Sequence, residues 1–359
     1  MGTGLTAMIL FILLIIFWSV KVQRNIGEAM FIGMIMVSLF GGKEAINLLK
    51  GGLLYALNYE VLFASLAFVF MSFLLQNSNV LEGLLKILNR LFGKLKGGPA
   101  YVNTALSSVL GMLSGGNSPN AATSGSFTAQ WLLKSGWSKE AAATLIAGNG
   151  GLGAGFPPSS SLFIVLAFPT VVGAVAEGQL YIALFVAGIY QVIWRMVYIH
   201  YYVRKNNIQA MIQGETSPIS EVLRTNGKSA LIFLGAIIPV ALTMGPLADF
   251  LINKSELWGE AIDSINILVW IPTLMTLFIL LLDYKGIKAN LKTKENFIKE
   301  LLPHFTSIGG LLLFVFAAAN IISKLGLAND IVSMLDGLQL SKFLTVTIIC
   351  ILLAIVAGP

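Results

Sequence analysis

Charge, histidine and cysteine are all scarce in this chain of 359 residues. Only 11% of the residues are charged, against about 25% in typical soluble domains. The single cysteine, Cys350, excludes an internal disulfide and a cysteine-based metal cluster. The two histidines, His200 and His304, lack the spacing of a catalytic triad or of a metal site. With 56% apolar residues and a mean hydropathy of +0.83, the sequence predicts a polytopic membrane protein that is not an enzyme and has no cofactor.

Apolar segments long enough to cross a bilayer recur along the chain, since a membrane helix needs about 20 residues. They predict an all-α fold with spans at 5–20, 29–42, 55–76, 141–168, 179–203, 229–251, 265–283 and 305–323. Two more apolar segments, 99–131 and 341–359, are interrupted or ended by Gly and Pro and are interpreted as re-entrant hairpins, the second incomplete. Between spans, 77–98 has the pattern of a basic amphipathic helix, which is equally compatible with a helix on the inner membrane surface and with an ordinary connecting helix.

The distribution of Lys and Arg predicts the orientation. If the N-terminus lies outside, the inward-facing segments hold 17 of the 23 basic residues and the outward-facing ones hold five. Basic residues concentrate on the cytoplasmic side of membrane proteins. We therefore expect an inner-membrane protein with its N-terminus outside.

The order of elements repeats with inverted orientation, which is common among secondary transporters. The first repeat is predicted at 1–203, a cytoplasmic linker at 204–228 and a second repeat at 229–359. Basic residues precede the first hairpin, whereas Asp330 and Asp336 precede the second, as a swap of sides predicts. The second repeat is shorter, and by symmetry we expect roughly 80–100 further residues beyond Pro359.

Two polar segments interrupt the apolar sequence: LSGGNSPNAATSGSFT at 113–128 and GNGGLGAGFPPSSS at 148–161. Non-helical backbone at membrane depth is tolerated only where it faces protein or a water-filled cavity. Freed carbonyls and hydroxyls suit Na⁺, and exposed helix N-termini suit an anion. Close helix packing is the alternative, and it accounts for the spacing of Ala121, Gly125 and Ala129. The GNGGLG run matches a dinucleotide-binding pattern but lacks the preceding strand.

Asn120, Thr123, Ser124 and Ser126 follow the first break, where they suit helix N-caps, ligands or both. Few charged residues lie within the predicted spans. Glu60 and Arg195 lie near predicted span ends, where long side chains reach the interface. The spans contain no series of carboxylates, which favours Na⁺ over H⁺ as the coupling ion.

The runs LKGGPAYVNTALSSVLGMLSGGNSPNAATSGSF and SGWSKEAAATLIAGNGGLGAGFPPSSSLFIV together resemble the large membrane subunit of tripartite ATP-independent periplasmic (TRAP) transporters. The resemblance is most specific over 97–205. It implies an elevator-type transporter of the ion transporter superfamily, which imports small organic anions, often carboxylic acids, on a Na⁺ gradient. Its partners would be a small four-helix membrane subunit and an extracytoplasmic solute-binding protein.

The resemblance also implies a site. A first hairpin tip at 114–120 would face a broken helix at 148–160, and together they would hold Na⁺. The second tip would begin at Gly358. The predicted cation- and substrate-binding residues are Ser114, Gly115, Gly116, Asn117, Ser118, Asn120, Thr123, Ser124, Asn149, Gly150, Gly151, Pro157, Pro158, Ser159, Gly358 and Pro359.

Two other functions are compatible with the sequence. One is a stand-alone carboxylate permease of the same superfamily that uses H⁺ and no binding protein. The other is a membrane scaffold without transport activity, in which the breaks serve only packing.

Overall fold

The computed structural model describes residues 2–114, 117–157, 159, 162, 177–210, 218–243, 246–254, 259, 261–262, 265–291, 294–337, 344 and 346–347. Across these residues the regular structure is helical, and the only β-type pairing is one bridge between Lys96 and Ala210. The predicted all-α fold is confirmed.

The described helices have bounds that the apolar pattern only partly predicts. In chain order the α-helices are α1 (Thr3–Phe17), α2 (Ile26–Leu39), α3 (Ala45–Leu57), α4 (Glu60–Gln76), α5 (Val80–Phe92), α6 (Gly98–Ser114), α7 (Asn117–Lys134), α8 (Lys139–Gly150), α9 (Leu152–Gly155), α10 (Glu177–Lys205), α11 (Ile219–Asn226), α12 (Leu234–Thr243), α13 (Pro246–Lys254), α14 (Ile267–Asn290), α15 (Lys294–Lys324) and α16 (Leu327–Gly337). A π-helical turn, Trp18–Val22, extends α1, and 3₁₀ turns precede α3 and α12.

Within the described ranges, five helical segments are long and apolar enough to cross a membrane. They are Thr3–Val22, Gly178–Lys205, Ile219–Thr243, Ile267–Asn290 and Phe297–Lys324. A sixth is added if the helices on the two sides of Asn58 count as one broken span. These segments identify the chain as a multi-pass membrane protein.

The predicted span at 55–76 corresponds to helix α4 together with a helix break near its start. Helix α3 ends at Leu57 and α4 begins at Glu60. The Asn58 side-chain amide donates to the Leu54 carbonyl over 2.9 Å, which provides that terminal carbonyl with a local partner. The number of apolar residues in a segment does not indicate where a polar side chain ends a helix within it.

Two other predicted spans differ from the structure. The segment at 29–42 forms the 14-residue helix α2, about 21 Å long and shorter than the bilayer core of about 30 Å. Its start is set by Asn25, whose side chain accepts a hydrogen bond from the Gly27 N–H over 2.7 Å. The span at 229–251 instead runs from Ile219 to Thr243, so its first helix, α11, lies in the predicted linker.

The chain divides into two compact units. The first combines Met1–Tyr59 with Gly310–Pro359. In it, the Leu5 N–H at the start of α1 donates to the Asp330 carboxylate over 3.0 Å. A carboxylate there complements the positive end of the helix dipole. The negative charge of Asp330 thus has a structural role at the start of α1.

The second unit is Glu60–Gly309 and contains both interrupted segments. Its helix α5 has the predicted amphipathic character, with Leu81, Leu84 and Leu85 buried. Leu81 and Leu85 pack against Leu106 and Leu110 of α6, so the apolar face of α5 covers protein rather than lying on a membrane surface. The repeat boundaries predicted from the sequence do not coincide with these units, and they stay a prediction.

Candidate functional site

Helices α6 and α7 form an antiparallel pair joined by buried polar groups. The Asn103 amide nitrogen donates to the Thr128 hydroxyl over 2.8 Å, and that hydroxyl donates to the Ser124 carbonyl over 2.7 Å. All three residues are fully buried. Because buried polar groups are costly when unpaired, these bonds specify the register of the two helices.

Helix α8 is linked to the same pair through Asn149. Its side-chain nitrogen donates to Asn103 Oδ1 over 2.7 Å and to Thr104 Oγ1 over 2.9 Å. Thr104 Oγ1 in turn donates to the Ala100 carbonyl over 3.0 Å. Three helices therefore share one continuous buried hydrogen-bond network.

Asn120 lies in the second turn of α7 and contacts both neighbouring helices. Its Nδ2 donates to the Ser107 carbonyl over 3.0 Å and to the Gly150 carbonyl over 3.2 Å. Two carbonyl acceptors identify this atom as the nitrogen. Within the described part of the chain, Asn120 Oδ1 and Ser107 Oγ are buried without a hydrogen-bond partner. The junction therefore presents two buried oxygens with unused lone pairs.

Glycines bring the backbones of this junction close together. A Cβ atom placed on Gly150 would lie 2.7 Å from Ala121 Cβ and 2.8 Å from the Asn117 carbonyl oxygen. One placed on Gly111 would lie 2.6 Å from the Leu152 carbonyl oxygen. No side chain fits at either position without a shift, so α7 approaches α8, and α6 approaches α9, at backbone distance.

The helix that begins at Lys139 is interrupted twice. Helix α8 ends at Gly150, Gly151 forms a turn, and α9 ends at Gly155 before Phe156 becomes extended. Beyond the break, Ser159 Oγ accepts a hydrogen bond from the Leu162 N–H over 3.3 Å. The interruption therefore begins at glycines upstream of Pro157.

Arg195 of α10 reaches the end of α8. Its Nη2 donates to the Gly148 carbonyl over 3.1 Å, and its Nη1 donates to the backbone carbonyl and side-chain oxygen of Gln191, both over 3.3 Å. A cation is favourable beside the last turn of a helix. Arg195 therefore has a partner at the break itself, which its position near a predicted span end did not indicate.

The structure gathers part of the predicted site. Asn120, Ser124, Asn149 and Gly150 are buried at the junction, and Pro157 and Ser159 are buried beyond it. Thr123 and Gly151 are half-buried, whereas Asn117 and Ser126 are exposed. The backbone of Ser114 closes α6, and that of Ser118 lies in the first turn of α7. Outside the described residues lie Gly115, Gly116, Pro158, Gly358 and Pro359.

Sequence reasoning missed four polar residues of the network: Asn103, Thr104, Ser107 and Thr128. A signal was available in α6, where Asn103 and Ser107 are four residues apart and share one face of an otherwise apolar helix. Packing also has a part in the junction, because a Cβ on Gly125 would lie 2.9 Å from Ile146 Cγ2.

A polar junction between a helix pair and an interrupted helix, in a multi-pass helical protein, is typical of secondary transporters. Residues 5–359 match the family model described as "Tripartite ATP-independent periplasmic transporter, DctM component", and the chain belongs to that family. The resemblance seen in the sequence is thereby confirmed. A search of curated proteins finds no match to the chain.

Membership defines the general role. The DctM component is part of a TRAP transporter, so the chain is a membrane transport protein of a family that works with a small membrane subunit and a solute-binding protein.

Proposed function

We propose that this chain forms the transport path of a Na⁺-driven importer of a small organic anion, a carboxylic acid. The anion would be delivered by an extracytoplasmic solute-binding protein, and the chain would work in the inner membrane beside a small four-helix subunit, with its N-terminus outside. Family membership supports the tripartite organisation. The polar junction supports the coupling ion.

The observation that carries the proposal is the pair of buried oxygens, Asn120 Oδ1 and Ser107 Oγ, for which no partner occurs among the residues described. An unsatisfied buried polar atom costs about 1–3 kcal/mol, so such atoms call for a reason. A dehydrated cation ligated by both oxygens would satisfy them.

The hydrogen bonding of Asn120 favours a cation over an anion, even though Arg195 already places one positive charge on the Gly148 side of the α8 end. Both amide hydrogens of Asn120 are directed to carbonyl oxygens, so its Oδ1 remains as an acceptor, and the Ser107 hydroxyl can accept as well as donate. Gly150, whose carbonyl lies at the same point, is the last residue of α8. The C-terminal end of a helix carries partial negative charge and coordinates Na⁺ in transporters with broken helices.

We further propose that α6, α7, α8 and α9 move as one body during an elevator-type cycle between inverted repeats. The shared hydrogen bonds of Asn103 and Asn149, and the backbone approach at Gly111 and Gly150, support this. Sliding one helix past another would expose a buried polar group, so a rigid-body movement is less costly.

Ser107→Ala tests the cation site with little structural disturbance. The substitution removes a hydroxyl that bonds to no described residue, so folding should be unaffected or slightly improved. If the hydroxyl is a ligand, we expect the Na⁺ concentration for half-maximal uptake to rise about tenfold, equivalent to about 1.4 kcal/mol. Uptake is measured in proteoliposomes with the intact transporter and its binding protein.

Ser108→Ala is the matched control. Its hydroxyl already donates to the Thr104 carbonyl over 2.8 Å, so its removal should leave the Na⁺ dependence unchanged. Equal Na⁺ dependence in wild type and Ser107→Ala would contradict the ligand assignment. Uptake that persists without Na⁺, or without the binding protein, would instead support the stand-alone, H⁺-coupled permease.

A further inference from the structure

A recess of about 390 Å³ lies at the C-terminal end of α10, away from the polar junction. One wall is the segment that follows α5, including Leu95 and Lys96, and another is the chain that turns back after α10, including Asn207 and Gln209. The recess thus lies where two connections and a helix end meet.

The recess has an ordered base. Asn207, in the left-handed region at φ 52°, ends α10, with hydrogen bonds from the Ile208 N–H to the Val203 carbonyl over 3.1 Å and from the Asn207 N–H to the Arg204 carbonyl over 3.5 Å. This is the Schellman pattern, with its apolar contact between Ile208 and Val203. The last carbonyls of α10 are therefore hydrogen-bonded within the turn itself, and any attraction for an anion has to come from the side chains of the recess.

The wall formed by Leu95 and Lys96 is hydrogen-bonded to the chain just after the turn at Asn207. The Gly97 N–H donates to the Gln209 carbonyl over 3.3 Å, and Lys96 and Ala210 form the β-bridge. Gly97 has φ 69°, and a Cβ there would lie 2.3 Å from Val203 Cγ2, so glycine is required by both conformation and space.

The lining combines positive charge with apolar surface. Lys96 and Arg204 supply two exposed cations, and His200 supplies a third basic group. Among the described residues that line the recess, none is acidic. Leu95 and the buried Val203 supply apolar contacts. Such a lining suits a phosphate group attached to an apolar body better than a free, fully hydrated anion.

The position of the recess at the end of α10 indicates that this phosphate belongs to a membrane lipid. The membrane-spanning segment Gly178–Lys205 ends at the recess. Over its last turns it exposes Trp194, Tyr198 and Tyr201, aromatic residues of the kind that lie at the level of lipid headgroups. We propose that the recess binds the headgroup phosphate of an anionic phospholipid.

The test compares two double variants of the purified full chain in phosphatidylcholine nanodiscs with increasing phosphatidylglycerol, with bound lipid measured by native mass spectrometry. Lys96→Gln with Arg204→Gln removes both cations of the recess. Each basic residue near an anionic lipid surface contributes about fivefold to binding, so the half-saturating phosphatidylglycerol fraction should rise about 25-fold. Lys134→Gln with Lys139→Gln removes two exposed cations that do not line the recess, and wild-type binding is expected.

Three results would overturn the proposal. Equal loss of bound lipid in both double variants would show that lipid binding depends only on the overall charge of the protein surface. Unchanged lipid binding in the Lys96/Arg204 variant would exclude the recess as the binding site. Displacement of phosphatidylglycerol by inorganic phosphate at comparable concentration would assign the recess to a soluble anion. Far-UV circular dichroism and gel filtration confirm that both double variants are folded, and Arg204→Lys should largely retain binding because it keeps the charge.

Discussion

Asn149→Ala is the most direct test of the buried network, because one side-chain nitrogen links α8 to α6. The substitution removes the hydrogen bonds from Asn149 Nδ2 to Asn103 Oδ1 and to Thr104 Oγ1. It leaves the α-helical backbone intact, since alanine has the highest helix propensity. Asn149 is only 2% exposed, so water does not readily replace the lost donor.

The expected cost follows from these contacts. An interhelical hydrogen bond in a membrane protein contributes about 0.6 kcal/mol on average and up to about 1.7 kcal/mol, so two bonds contribute roughly 1–3 kcal/mol. Asn103 Oδ1 would in addition be left buried without this donor, which costs about 1–3 kcal/mol. We expect the free energy of unfolding to fall by about 2–6 kcal/mol overall.

The measurement is SDS-induced unfolding in mixed micelles, followed by far-UV circular dichroism. Thr144→Ala is the control on the same helix, because the exposed Thr144 hydroxyl donates only to the Glu140 carbonyl within α8. Its free energy of unfolding should change by less than about 0.5 kcal/mol. A double-mutant cycle with Asn103→Ala should give a coupling energy of about 0.6–1.7 kcal/mol.

Additive effects of Asn103→Ala and Asn149→Ala would refute the reasoning, because residues that share a hydrogen bond must couple. The same holds if Asn149→Ala costs no more than Thr144→Ala. Either result would mean that α8 is held by packing alone.

Two further substitutions test the geometry of the break. Gly150→Ala should lower the free energy of unfolding by about 1–3 kcal/mol, because the new Cβ would clash with Ala121 and the Asn117 carbonyl. Gly148→Ala is the control and should be neutral or stabilising, since its Cβ would have open space. Equal free energies of unfolding for the two variants would contradict the close approach of α7 and α8 at Gly150. Arg195→Met should lower the free energy of unfolding by about 0.5–1.5 kcal/mol in the same micelle assay, because it removes the donor to the Gly148 carbonyl. Arg195→Lys should restore part of that loss. If Arg195→Met leaves the free energy of unfolding unchanged, Arg195 does not stabilise the end of α8.

The class of the protein could be predicted from the sequence because membrane insertion depends on local quantities. Apolar length sets which segments can span a bilayer, and the helices at Thr3–Val22, Gly178–Lys205 and Ile267–Asn290 lie close to the predicted spans. The dense cluster of Gly and Pro in GNGGLGAGFPP predicted a helix interruption, and α8 ends there at Gly150. The polar, Gly-rich segments at 113–128 and 148–161 also carried the resemblance to the family.

The site required the tertiary structure, because its hydrogen bonds join residues far apart in the chain. Asn149 and Asn103 are 46 residues apart, and Asn120 and Gly150 are 30 apart. An asparagine in a sequence is equally compatible with a helix cap, a turn and a buried network, as Asn25, Asn58 and Asn149 illustrate. Composition and spacing determined that this chain enters a membrane and breaks its helices there. The register of three packed helices decided which polar atoms meet, because a hydrogen bond forms only over about 2.7–3.2 Å and glycines such as Gly150 let the helices come close.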